Sequence, residues 1–186
     1  RQSMIRLSEL IGTLVSAYLI TEEEKYARQA VAHLRAWFVE PKTRMRPSLL
    51  YGQAIKGKHT GRSIGIIDTL HLVEVARGAK ILCASPSFKP TDQMAVKAWF
   101  GDYLHWINSH VYGLKEKLHP NNHGVCWSLQ ASAFADLVGN EEVLSWVRGQ
   151  FKTVYLSGMM DEQGRFPAEL KRTKPYGYSL FVMDAM

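Results

Sequence analysis

The sequence predicts an all-α protein built of antiparallel helical hairpins, on three observations. Apolar residues recur at intervals of three and four almost throughout; no stretch alternates with a period of two; and short Pro- or Gly-bearing breaks separate the periodic runs. Leu7, Leu10, Ile11, Leu14, Val15 and Tyr18 form one apolar stripe, and Tyr26, Ala30, Leu34, Trp37 and Phe38 form the next. Thr21 followed by Glu24 reads as a capping box opening the second helix, and Pro41 ends it, so residues 4–39 are expected to be one hairpin.

From Pro41 to about Gly61 runs a connection with two Pro, three Gly and many basic residues but no period. Connections of that length in compact domains are usually functional or disordered. Tyr51 and Gln53, just before the next helical stripe, favour an ordered loop lining a cleft. Helical periodicity then resumes over residues 64–82, 93–107, 125–138 and 141–155, with Pro90-Thr91 and Gly139-Asn140 among the breaks. The hairpins show no exact repeat, which excludes a TPR or HEAT solenoid.

At 186 residues, 46% hydrophobic and 22% charged, the chain is long enough for one domain with a sizeable core. No run reaches the roughly 18 consecutive apolar residues of a membrane span, and no signal peptide opens the chain. Because the sequence starts at Arg1 and is helical almost at once, it reads as a fragment or processed form. The net charge of +6 and pI of about 9.3 admit anionic partners. Lys and Arg are scattered between apolar positions rather than gathered in a stripe, so nucleic acid is disfavoured and an acidic glycan is the better partner. Cys83 and Cys126 are too few for a disulfide framework and lack metal-ligand spacing.

Two polar clusters interrupt the helical pattern. The first is Asn121-Asn122-His123-Gly124, after Pro120 and before a strongly helical stretch. The second is Glu169-Leu170-Lys171-Arg172-Thr173, followed by Tyr176 and Tyr178. Asn is a preferred helix cap and Gly a common turn residue, so the first alone is equally a capped helix start.

Together the clusters resemble the alginate lyase family of polysaccharide lyases. The matching pieces are Asn121-Asn122-His123-Gly124, Gln130 with its Ala-rich helix, and Glu169-Leu170-x-Arg172-Thr173 ending in Tyr178-Ser179-Leu180. Gly61-Arg62-Ser63-Ile64-Gly65-Ile66-Ile67-Asp68 resembles the Arg-bearing helix entrance that precedes them. The resemblance implies part of an (α/α) toroid over residues 1–186, incomplete at both ends, whose exposed rim packs on a missing segment or on another copy of the chain. It further implies a periplasmic or secreted protein.

The implied chemistry is β-elimination on a uronic-acid polymer: a base takes the proton at C5, and the glycosidic oxygen on C4 leaves as an acid protonates it. The neighbouring carboxylate makes that proton weakly acidic, so donors must cancel its charge. The resemblance places Asn122 on the substrate carboxylate. His123, an imidazole that ordinarily titrates near about 6.5, suits a base or a charge neutraliser. Tyr178 is the second proton carrier, with Tyr176 as its alternative, and Arg172 is the cation that lowers a phenol's pKa or grips a carboxylate in bidentate fashion. Glu169 is expected to orient Arg172 by a salt bridge.

Arg62, a cation at a helix start where the dipole disfavours it, reads as a carboxylate clamp. Gln53, Tyr51 and Asn121 complete the expected substrate contacts, with Trp127 as a platform for a sugar ring. The remaining histidines are dispersed, and Pro120 separates His119 from His123, so no catalytic metal and no cofactor are expected. Three alternatives stay open: a lyase for another uronan such as hyaluronan, chondroitin or heparin; a non-catalytic acidic-glycan-binding module; and a helical glycoside hydrolase, for which Asp161, Glu162 and Glu169 offer no compelling carboxylate pair.

Overall fold

The computed structural model describes residues 1–186, and every regular element in it is helical. Helix α1 (Gln2–Thr21) turns through Glu22, in the left-handed conformation at φ 58°, into α2 (Glu24–Leu34). A wider π-helical turn, Arg35–Val39, continues α2 up to Pro41. The link is too short for anything but an antiparallel pair. The predicted capping box does not form: Thr21 belongs to α1, its hydroxyl donates to the Ala17 carbonyl and accepts from Glu23 N–H, and α2 has no side-chain cap. A hydroxyl on the last turn of one helix cannot also reach the third residue of the next.

The 40–62 connection is an ordered loop. Met45 donates its N–H to the Trp37 carbonyl (2.8 Å) and accepts from the Trp99 indole (2.7 Å). Farther on, Arg62 N–H reaches the Gly52 carbonyl (3.1 Å) and the Tyr112 hydroxyl holds the Gly61 carbonyl. Gly52 and Gly65 touch backbone to backbone. A Cβ on Gly65 would lie 2.6 Å from the Gly52 carbonyl carbon, so only glycine admits the approach.

The helix expected over 64–82 is two elements, a 3₁₀ segment (Ser63–Thr69) and α3 (Leu72–Leu82). Thr69 is the reason: its buried hydroxyl meets the Ile66 carbonyl, the Tyr103 hydroxyl (2.7 Å) and the Gln130 amide oxygen (2.6 Å). The stretch is thereby tightened and tied to its neighbours. Then follow α4 (Pro90–Ser109), α5 (Val111–Lys117), α6 (Asn122–Val138), α7 (Glu141–Gln150) with a π-helical continuation Phe151–Met159, α8 (Pro167–Leu170) and α9 (Pro175–Ala185). Pro at the first position starts α9.

α6 is the central helix, packed against α3, α4, α5, α7 and α9. Gly139 at φ 80° ends it, and the side chain of the next residue, Asn140, caps α7, closing another antiparallel hairpin. The hairpins form part of an (α/α) toroid around one main core, in which Phe38, Trp99, Phe100, Tyr103 and Phe134 make a chain of tilted and edge-on aromatic contacts. α1 has the length and composition of a membrane span, yet Leu7, Ile11 and Val15 are buried and the helix packs on α2 and α3.

A smaller core joins α6 to the C-terminal elements through Val125, Cys126, Tyr155, Phe166, Val182 and Ala185. Burial pushes the Cys126 thiol up to about 12, with the Glu116 and Glu169 carboxylates adding to the effect. The folded thiol therefore stays neutral where the unfolded one ionises. Stability from this site is complete below the unfolded thiol's pKa and is lost as pH rises toward 12. A thiolate-directed reagent at about pH 8 should modify Cys126 only upon unfolding; labelling of Cys126 at the same rate in native and denatured protein would contradict the buried placement.

Candidate active site

The site is built on the first turn of α6, where backbone N–H groups have no partner within the helix. Asn121 takes the cap: its side-chain oxygen accepts from His123 N–H (3.0 Å), and its carbonyl from Gly124 N–H. Asn122 N–H donates to Glu169 Oε1 (2.7 Å), and the Asn122 amide nitrogen donates to Glu169 Oε2 (3.0 Å). An ionised carboxylate only accepts, so the amide nitrogen must face Glu169. The Asn122 oxygen is then buried without a partner. Glu169, 1% exposed, thus accepts two N–H groups at the N-terminal end of α6.

His123 is fixed from behind. Its Nδ1 lies 2.5 Å from Oε1 of Glu116, a carboxylate on α5 that is itself 1% exposed. An ionised Glu116 accepts, which puts the proton on Nδ1 and leaves Nε2 as the free ring nitrogen. Behind this pair stands the His119 ring, its centroid 5.1 Å from that of His123. Gly124 is required because a Cβ there would lie 2.3 Å from the His119 carbonyl oxygen. Gly124→Ala should therefore push the α6 entrance away from the preceding turn at a cost of about 1–3 kcal/mol. Denaturant unfolding reads this directly, and an unchanged midpoint would show the turn to be compliant.

The α8–α9 segment closes the site. The Arg172 guanidinium lies over the Tyr178 ring, 4.3 Å from its centroid. Asn122, His123, Arg172 and Tyr178 all line one cavity of about 480 Å³, together with Gln53, Asp68 and His71. Asp68 pairs with Arg1 at 3.6 Å. Partial burial, helped by the Arg1 cation and opposed by Asp68, holds the His71 imidazole below its ordinary range. Four candidate side chains from two distant stretches of sequence thus meet at one surface.

Other expected contacts are elsewhere. Arg62 does not line the cavity; its guanidinium donates to the Gln53 carbonyl and to the Gln53 side-chain oxygen (3.0 Å), and it holds Gln53, itself at φ 50°, from behind. Glu169 makes no ion pair with Arg172, because its carboxylate is buried against the α6 entrance, where it accepts from Asn122. It is a buried support rather than a substrate contact. Asn121 is spent as the helix cap.

Trp127 is fully buried, its indole donating to the Ile107 carbonyl and its ring packed edge-on against Trp146, so no sugar can stack on it. One turn past His123, it points into the bundle rather than at the cavity. Tyr176, 77% exposed, lies outside the cavity that holds Tyr178. Tyr51 lines an adjoining depression that shares Arg1, Gln53 and Asp68 with the site.

Glu116, Asp68 and His71 are site residues that the sequence does not single out. Glu116 sits in Leu114-Lys115-Glu116-Lys117, which reads as a solvated helix face. Asp68 closes the Gly61–Asp68 piece without a role assigned to it there, and His71 lies beyond that piece. No three His, Cys, Asp or Glu side chains converge as a metal cage would need.

Fold and site define a partial ring of helical hairpins whose cleft gathers two amides, two imidazoles, two guanidiniums, a carboxylate and a phenol. A family model described as alginate lyase matches residues 1–186. The crystal structure of an alginate lyase from Bacteroides ovatus is similar at a TM-score of 0.94 and 32% sequence identity, over 100% of this chain and 50% of that chain. No curated protein matches the sequence. The chain belongs to the alginate lyase family, and it spans half the length of that solved structure.

Proposed function

We propose that residues 1–186 form a toroidal domain carrying the reaction centre of a polysaccharide lyase, which cleaves a uronic-acid polymer, alginate above others, by β-elimination. The observation that carries this reading is the convergence of Asn122, His123, Arg172 and Tyr178 on one cavity. Arg172, with the one N–H of the Asn122 amide that Glu169 does not hold, takes the uronate carboxylate and lowers the cost of the enolate-like charge that develops when the C5 proton leaves. His123 through Nε2, and Tyr178 through its hydroxyl, divide the two proton transfers: one removes the C5 proton as the C5 electron pair forms the C4–C5 double bond, and the other protonates the departing C4 oxygen. The products are a saturated reducing fragment and a fragment with an unsaturated uronate at its new end.

The Arg172 guanidinium against the Tyr178 ring supports the phenol's part, because it holds the ring at the cavity beside the cation that would meet the uronate carboxylate. Family membership supports alginate as substrate, and with it a periplasmic or secreted location, where such polymers are met.

Incubating the protein with alginate should raise ultraviolet absorbance as unsaturated uronate forms. Hyaluronan, chondroitin and heparin serve as the comparison panel. A flat trace with every uronan would remove the lyase reading, and calorimetric binding without product would mark a glycan-binding domain instead.

A further inference from the structure

The cavity is one end of a longer surface. Arg1, Gln53 and Asp68 line both it and a second depression of about 360 Å³ under the 40–62 loop. Met45 and Arg46 line both that second depression and a third, of about 460 Å³, between the loop and α4. Each volume is within the range of about 300–1,000 Å³ typical of ligand sites.

The charges along this surface are not evenly paired. Arg1 is matched by Asp68 at the wall shared with the reaction cavity. Arg46 and Arg44, farther out, are exposed, and neither belongs to any ion pair of the molecule. The acid lining the third depression is Asp102, one carboxylate against two guanidiniums. The backbone carrying the two arginines is anchored between them, with Met45 bonded through its N–H to Trp37 and through its carbonyl to the Trp99 indole. Pro47 also restricts Arg46 to extended conformations. Tyr51, 71% exposed, stands on the wall of the middle depression with its ring available to a sugar face.

Resting on the uronan reading above, we propose that the three depressions form one track for an extended polyuronate, whose outer sugars are held by Tyr51 and, through their carboxylates, by Arg46 and Arg44. A planar guanidinium suits each such carboxylate. The track lies on one side of the reaction cavity, so it favours long chains over fragments that fill the cavity alone.

The test measures affinity, so it does not depend on turnover. In a Tyr178→Phe background, alginate polymer and alginate trisaccharide are titrated by calorimetry against Arg44→Ala/Arg46→Ala. The control is Arg28→Ala/Arg77→Ala, which removes the same charge from exposed positions on α2 and α3. The track predicts that the polymer dissociation constant rises about tenfold in the first variant only, since exposed ion pairs contribute modestly each. Trisaccharide affinity should stay as it was.

An unchanged polymer affinity, an equal loss in the control pair, or an equal loss for the trisaccharide would each overturn the track. The lyase reading is judged separately by unsaturated product from the wild-type protein, and it can fail while the track stands. If the wild-type protein binds no alginate, both fall.

Discussion

Tyr178→Phe should reduce turnover of alginate by about 10²- to 10⁴-fold, the usual worth of a positioned proton carrier, while leaving the fold and the affinity for polymer almost untouched. The substitution removes one oxygen and keeps the ring on which Arg172 rests. Initial rates of unsaturated uronate formation measure the loss, and thermal unfolding checks the fold. A Phe variant within a few fold of wild type would show that the phenol moves no proton, and the transfer would have to be assigned to His123 alone. A loss of binding equal to the loss of rate would make Tyr178 a substrate contact instead.

Glu116→Gln should lower kcat by about two orders of magnitude, short of the roughly 10⁴ seen when a triad's carboxylate is neutralised, with KM little changed. Glu116 is a positioning residue: it faces Nδ1 of His123 at 2.5 Å and does not line the cavity. Gln keeps the shape but can present either an oxygen or an amide group to the ring, so the imidazole loses its fixed tautomer. Stability provides the control. A buried charge is costly to hold, Glu116→Gln removes one at conserved volume whose Oε2 has no partner, and a Glu116→Gln protein that melts no earlier yet turns over slowly separates orientation from folding. Unchanged kcat, or a fall matched by a collapse in melting temperature, would remove the positioning role.

Much of this architecture is legible in the residues. The stripes of α1, α2, α4 and α6 follow from spacing, because a helix that buries one face must repeat its apolar residues near every 3.6 positions. The 40–62 connection stands out as aperiodic yet carries Tyr51, Gln53 and three Arg, and Gln53 does line the cavity. Local chemistry misleads where one residue serves two geometries. Thr21 looks like a cap for α2 but ends α1, and Thr69 looks like mid-helix but anchors a three-way buried hydrogen-bond hub.

Trp127 shows the limit most clearly. Sequence distance puts it one turn from His123, but the direction of that turn depends on which side of α6 meets α4 and α7. Glu169 and Arg62 show it too. Each reads from the sequence as acting on the substrate or on Arg172, and each supports a neighbour, Asn122 or Gln53, that does face the cavity.

The sequence alone determined the helical class, the hairpin order and the two polar clusters, because periodicity and caps are short-range properties carried by residues a few positions apart. Only the tertiary structure decided that Asn122 and His123 share a wall with Arg172 and Tyr178, that Glu116 rather than a cluster member holds the imidazole, and that Trp127 belongs to the core. Those outcomes depend on how α5, α6, α8 and α9 pack, and packing is fixed by the whole set of buried faces at once rather than by any local run of residues.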